Sequence, residues 1–244
     1  MIKVCCDPYE LQNRYNFGDM ISMTLLERLS GQKIQRVSLE NVMDSDIICA
    51  GSILEYIPEN YDGYIWGTGF MFAKDYARDA WDHFSLTKVF KKAKVLALRG
   101  MMTKQRAFHK GKQDVVLADP GILANMLKDK DVEVGYELGV VPHYVDQAEE
   151  GVTELLKNKD TLYIDVLDTP TNVVNNIARC KNIIASSLHG VVVGDSLGIP
   201  TEWRKFSNKV GGAGFKFRDY YSVKEDIEER KRKLIEALPT KYKL

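Results

Sequence analysis

"NIIASSLHGVVVGDSLGIP" (Asn182–Pro200) carries one apolar run up to two serines, a histidine, and a second apolar run that ends at Gly-Ile-Pro. The first run reads as a strand, "NIIAS", and the second as a helix from about Leu188 to Leu197. Ser186 and Ser187 are good N-cap residues for that helix. Strand, tight turn and helix in under twenty residues form the repeating unit of a parallel sheet with helices on its faces.

The same alternation extends upstream. "LGVVPHY" reads as a strand, "TELLKNK" as a helix, "TLYIDV" as a strand and "PTNVVNNIARC" as a helix. A polar stretch, "KDKDVEV" (Lys128–Val134), precedes this series and is the best linker candidate. Before it, "IKVCC" opens the chain as a strand, and a helix begins near Asp19. Ile21, Leu25, Leu26 and Leu29 recur at helical spacing there, with Gly31 at the C-cap position. "DIICAG", "GYIWGTGF" and "KVLALRG" follow as short strands, with helices expected over residues 81–94 and over "GMMTKQRAFHK". A final charged run, "SVKEDIEERKRKLIEAL", places Val223, Ile227, Leu234, Ile235 and Leu238 on a helix with a solvated opposite face.

These patterns imply an α/β protein of two Rossmann-like domains, residues 1–128 and 129–222, followed by an amphipathic helix over 223–244. Ligands of such folds bind at the C-terminal ends of the strands, and the expected site is the cleft between the halves.

Composition narrows the partners. Lys+Arg and Asp+Glu both count 34, so the basic excess of a nucleic-acid binder is missing. No window approaches the roughly 18 apolar residues of a bilayer span, and the N-terminus lacks a signal-peptide layout. The four cysteines, Cys5, Cys6, Cys49 and Cys180, show no metal-ligand spacing and read as buried reduced thiols. A cytoplasmic protein without bound metal is the expectation.

Several polar groups fall at strand ends. Asn16 and Asp19 of "NFGD" flank the first helix, where Asp19 either caps it or meets a ligand. Gly51 and Ser52 of "CAGSIL" make a corner whose amides suit an anion, or are merely a turn. Arg99 closes "KVLALRG"; its planar fork fits a carboxylate or phosphate, or an internal ion pair with Asp119 of "LADPG". His143 of "VVPHYVD" follows a strand directly, as either a satisfied interior group or a functional one. His189 stands in the first turn of its helix, next to Ser186, Ser187 and Leu188. There it is either a packing residue or a proton donor and acceptor beside an anion. Lys205, Lys209, Lys216 and Arg218 accompany glycines and aromatics in "KFSNKVGGAGFKFRDYY", on a loop that is solvated or anion-binding.

Taken in order, "NFGD", "AGSIL", "WGTGF", "ALRG", "ADPG", "VPHYVD", "ASSLHG", "GIPTEW" and "GGAGFKFRDYY" resemble the motifs of polysaccharide pyruvyl transferases across residues 13–222. The resemblance implies a fold like the two-domain GT-B glycosyltransferases. It also implies transfer of the enolpyruvyl unit of phosphoenolpyruvate to two sugar hydroxyls, forming a ketal during surface polysaccharide biosynthesis. Phosphoenolpyruvate is then a donor substrate, and no cofactor is expected. His189 and Leu188 are placed at its site by the resemblance, with His189 and Arg99 as the catalytic pair. Some members carry an arginine before the Leu-His pair, where this chain has Ser187, which leaves Lys205, Lys209, Lys216 or His143 to supply the charge. A sugar on a lipid-linked oligosaccharide is the implied acceptor, with work at the inner face of the cytoplasmic membrane. Arg230, Lys231, Arg232 and Lys233 of the last helix either touch anionic lipid there or lie on a helix that packs on its domain. The competing functions are a GT-B-like glycosyltransferase using a nucleotide sugar and a non-catalytic glycan-binding protein.

Overall fold

The computed structural model describes residues 1–73, 90–108, 114–223 and 225–244. The chain folds into two compact units, one of Met1–Asp7, Leu29–Pro120 and Gly211–Leu244, the other of Pro8–Arg28 and Gly121–Val210. Seven α-helices run through the described residues: α1 (Phe17–Ser30), α2 (Met101–Ala107), α3 (Glu150–Leu155), α4 (Pro170–Ala178), α5 (Leu188–Ser196), α6 (Phe215–Tyr221) and α7 (Ile227–Ala237).

In the first unit, strands β1 (Ile2–Cys5), β2 (Ile34–Val37), β3 (Ile47–Ile48), β4 (Tyr64–Trp66), β5 (Lys94–Leu98) and β6 (Val116–Leu117) form a parallel sheet. Their order across it is β2-β1-β3-β4-β5-β6. Such a sheet is covered on both faces, so its central strands are continuously apolar rather than alternating. Ile47, Ile48, Ile65 and Trp66 accordingly have no accessible surface. Cys5, Ile48, Leu54, Ile65, Leu98 and Phe215 belong to one buried cluster.

The second unit is a plain alternation of β7 (Tyr136–Val141), α3, β8 (Thr161–Tyr163), α4, β9 (Cys180–Ala185), α5 and β10 (Thr201–Trp203). Its sheet is also parallel, with order β8-β7-β9-β10. The chain therefore builds outward from β7 to β8, then returns past β7 to lay down β9. The strand order reverses between β7 and β9, the place where doubly wound sheets open a crevice.

Sequence and structure part over the division of the chain. The partition at 128/129 and 222/223 is replaced by one in which residues 8–28 join the second unit and 211–244 return to the first. The polar stretch Lys128–Val134 proves to be a connection inside the second unit, leading into β7. Polarity marks solvent exposure, which a surface connection within a domain shares with a linker between domains. Likewise α7 is no separate appendage. It packs on β5 and β6 of the first unit, and its Leu234 carbonyl accepts a hydrogen bond from Trp66 Nε1 at 2.9 Å. Arg230 and Lys231 are buried, while Arg232 bonds to Glu229 and Glu236 on its own helix. Packing on the domain, the second of the two readings for this helix, is what these interactions describe. No helix among the described residues is long and apolar enough to cross a membrane. The helix expected over 81–94 lies largely outside the described residues.

Candidate functional site

Helix α1 begins at Phe17, two residues before the expected start. Asn16 rather than Asp19 takes the cap position, its Oδ1 accepting from the Gly18 amide at 3.4 Å. Asp19 occupies the first turn, and its Oδ2 accepts from Asn16 Nδ2 at 2.8 Å and from the Tyr9 amide at 3.4 Å. The Phe17 amide donates to Val166 O at 2.8 Å, which fixes the start of α1 to the loop beyond β8.

This anchoring brings α1 against the first turn of α5. A Cβ placed on Gly18 would lie 2.1 Å from His189 Nδ1 and 2.7 Å from its Cγ. Glycine is required here because the imidazole takes the space of a side chain. The Phe17 ring meets the same imidazole edge-on, with centroids 6.4 Å apart and planes at 75°. His189 is 6% exposed. It is thus held on two sides by the opening residues of α1.

The opposite flank comes from the sheet. Val141 and Ala185 are register partners in β7 and β9, so the residues after them leave adjacent strand ends. His143 follows β7 and Ser186 follows β9; the His143 amide donates to Ser186 Oγ at 2.9 Å. The amides of Ser186 and Ser187 both donate to Val141 O. Ser187 caps α5 by accepting from the Gly190 amide. Gly190 lets that turn close onto the sheet, since a Cβ there would stand 2.8 Å from Val141 Cγ1. A serine in place of the anticipated arginine has a clear local cause: the position is a helix cap. The Val145 amide donates to His143 Nδ1 over a long 3.4 Å, which places the proton of a neutral ring on Nε2.

His143, Ser186, Ser187, Leu188 and His189 are therefore gathered at the point where the strand order of the second unit reverses, with Asn16 and Asp19 beside them on α1. Two imidazoles, a capped helix N-terminus and hydroxyls suit proton transfer next to an anion. Lys205 is exposed, and Lys209 bonds to Glu149 at 2.5 Å. Sequence reasoning passed over Asp146, at the end of "VPHYVD". Its carboxylate is fully buried, accepts from Ser207 Oγ, and its amide donates to His143 O at 2.7 Å. An acidic residue three positions after a strand-end histidine was the available signal.

Arg99 has a different setting, within the first unit. It is wholly buried, and all three guanidinium nitrogens are engaged: Nε with Asp219 Oδ2 at 2.9 Å, Nη1 with Ser52 Oγ at 2.6 Å, Nη2 with Phe70 O at 2.5 Å. The internal ion pair is formed with Asp219, not with Asp119. Asp219 also accepts from Thr103 N and Thr103 Oγ1 at 2.7 and 2.6 Å. Gly51 (φ +126°) gives its carbonyl to Thr68 Oγ1 and the Gly69 amide, both at 3.1 Å. "AGSIL", "WGTGF", "ALRG" and "FRDYY" are thereby tied into one buried ionic knot. Asp119 is buried in the same unit, as is Lys216, whose Nζ lies 5.7 Å from the Phe217 ring centroid. A buried Arg–carboxylate pair with all three guanidinium nitrogens engaged ties its unit together.

Burial governs the cysteines too. The Cys5 thiol is pushed up to about 12 by desolvation and the nearby Asp7 carboxylate, and that of Cys180 up to about 11 by desolvation. Among the described residues no group of His, Cys, Asp and Glu has the arrangement of a metal site.

Comparison with known proteins adds an independent line. A family model described as polysaccharide pyruvyl transferase matches residues 2–201. An uncharacterized protein of Acanthamoeba polyphaga mimivirus is 33% identical over 215 residues, covering 85% of this chain and 70% of its own. No solved structure matches the chain significantly.

Proposed function

The chain belongs to the polysaccharide pyruvyl transferase family, and from that premise we propose that it moves the enolpyruvyl unit of phosphoenolpyruvate onto two hydroxyls of a sugar. The donor's methylene carbon takes up a proton, which leaves an oxocarbenium-like centre at C2. One sugar hydroxyl adds there and gives up its proton. The second hydroxyl then displaces inorganic phosphate and closes the ketal. Each event moves a proton, so a group that both donates and accepts near neutrality is needed.

His189 is assigned that role. The observation that carries the reading is its position, enclosed by Gly18 and Phe17 on one side, in the helix that follows Ser186, whose hydroxyl accepts from the His143 amide. The Nε2–H of neutral His143 and the first turn of α5 supply donors and positive potential for the donor's carboxylate and phosphate. Arg99 is given a supporting role, as the hub of the buried knot, in place of direct contact with the donor. In this reading no cofactor is used beyond the donor, and the acceptor is a sugar of a growing surface glycan.

The test is phosphate release from phosphoenolpyruvate in the presence of a panel of oligosaccharide acceptors, with the ketal identified by product mass. His189→Ala should lower turnover by about 10²–10⁴-fold, the usual worth of positioned acid–base catalysis, in a protein that a thermal melt shows to be still folded. Undiminished turnover in that variant refutes the assignment. Nucleotide release from a nucleotide sugar, with phosphoenolpyruvate untouched, refutes the reaction.

A further inference from the structure

Tyr9 and Tyr144 lie face to face with ring centroids 3.7 Å apart and planes within 1° of parallel. A direct sandwich is the aromatic arrangement that ring quadrupoles favour least. The surrounding backbone holds it in place. Tyr9 O accepts from the Asn16 amide at 2.9 Å, and the Tyr9 amide reaches Asp19 Oδ2, so the residue is clamped to the first turn of α1. The short hairpin that follows, Glu10–Leu11 against Arg14–Tyr15, is pinned by Arg14 Nη2 on Asp165 Oδ2 at 2.5 Å. On the other side Tyr144 leans on His143, with centroids 4.1 Å apart. Burial, with Asp19 and Tyr9 adding to it, raises the Tyr144 hydroxyl above its ordinary range.

One face of Tyr9 is covered by Tyr144, yet Tyr9 is 39% exposed. With that face stacked, a ligand can approach the ring only from the opposite face and the hydroxyl edge. An exposed, immobilised aromatic face, stacked on the neighbour of His143 and two hydrogen bonds from Gly18, suits a ligand that is apolar on a ring face and polar around its rim. A pyranose has that character: its axial C–H groups lie on the ring and its hydroxyls project outward. Asn16 and Asp19, bonded to each other, place an amide and a carboxylate on the same turn of α1 that clamps the Tyr9 backbone.

We propose that the Tyr9–Tyr144 stack is the platform on which the acceptor's sugar ring rests, and that Tyr9 is a specificity-determining residue; the identity of this sugar as an acceptor rests on the function proposed above. Stacking holds the ring by its face and leaves the hydroxyls free to turn toward the histidines.

Saturation-transfer NMR with methyl β-D-galactopyranoside, methyl β-D-glucopyranoside and the 2-acetamido analogues of both, at millimolar concentration, tests the proposal. At least one glycoside should receive saturation from the wild-type protein on its ring protons. Tyr9→Ala should weaken that binding about tenfold, and Tyr9→Phe, which keeps the ring, should retain it. In turnover, Tyr9→Ala should raise the acceptor KM by a similar factor and hold the phosphoenolpyruvate KM. Tyr9 is exposed, so a thermal melt of the variant serves as the folding control. Equal glycoside binding by wild type and Tyr9→Ala overturns the proposal, as does the absence of binding to every glycoside. Uridine bound at Tyr9 in their place also overturns it. Tyr9-dependent glycoside binding without consumption of phosphoenolpyruvate upholds the platform and removes the pyruvyl-transfer reading.

Discussion

Gly18→Ala separates stability from activity at the candidate site. The added methyl would stand 2.1 Å from His189 Nδ1, 2.7 Å from Cγ and 2.9 Å from Cβ. Ordinary contact between such atoms is about 3.5 Å, so the imidazole and helix α1 must separate by roughly 1.4 Å. Two opposing terms act on stability. Alanine in a helix gains up to about 1 kcal/mol over glycine, and overpacking a buried contact costs about 1–3 kcal/mol. The net loss should be between zero and about 3 kcal/mol, which a folded protein tolerates. Catalysis has no such compensation. A displacement near 1 Å of a reacting group costs on the order of 100-fold in rate, or about 2.7 kcal/mol of barrier. Initial rates of phosphate release, set beside urea unfolding of the same preparation, give both numbers. The expected result is a folded protein with a hundredfold lower turnover. Full turnover with equal or greater stability would show that the position of His189 against α1 is irrelevant to the chemistry.

Two further outcomes follow from burial. Arg99→Ala should cost about 3–5 kcal/mol of unfolding free energy, because it strands the Asp219 carboxylate without its cation. Arg99→Lys should not restore that loss, since an ammonium cannot reach Asp219, Ser52 and Phe70 together. A stable Arg99→Ala protein with a raised phosphoenolpyruvate KM would return the residue to the donor site. For the cysteines, the thiolate is the reactive form, so a pKa raised to about 11 at Cys180 leaves on the order of one thiol in a thousand ionised at pH 8. All four thiols are buried as well, so the native protein should resist a disulfide reagent at pH 8 and titrate four thiols once unfolded. Rapid labelling of the native state would contradict that burial.

Much of the second unit was legible in the sequence because each of its signals is local. A strand that ends on Ser186, with a serine at the cap and a histidine one turn on, describes its own geometry. His143 follows a strand in the same way. What adjacent strands do to these ends is not local: the pairing of Val141 with Ala185 joins residues 44 apart in the chain. Arg99 shows the limit most clearly. Its fork and its place after a strand are compatible with a substrate anion or an internal carboxylate, and the deciding partner, Asp219, is 120 residues away. The reason for Gly18 is the His189 ring, which only the folded chain brings there. Tyr9 lies in a polar, turn-rich stretch with no periodic pattern to mark it, and its partner Tyr144 is 135 residues away.

The chain passes from one unit to the other after Asp7, Arg28, Pro120 and Val210. For a protein made from its N-terminus, this threading dictates a schedule. Residues 8–28 leave the ribosome early, but the groups they are matched to, Tyr144, Asp165, Val166 and His189, are made more than a hundred residues later. At roughly 5–20 residues per second, the Asn-Phe-Gly-Asp segment waits on the order of ten seconds for the histidine that will face it. During that interval the apolar side of α1, with Phe17, Ile21, Leu25 and Leu26, has no finished core to enter. Neither unit can be released from synthesis as a completed piece before the other has begun, so the nascent chain should depend on holding chaperones longer than a pair of consecutive domains would.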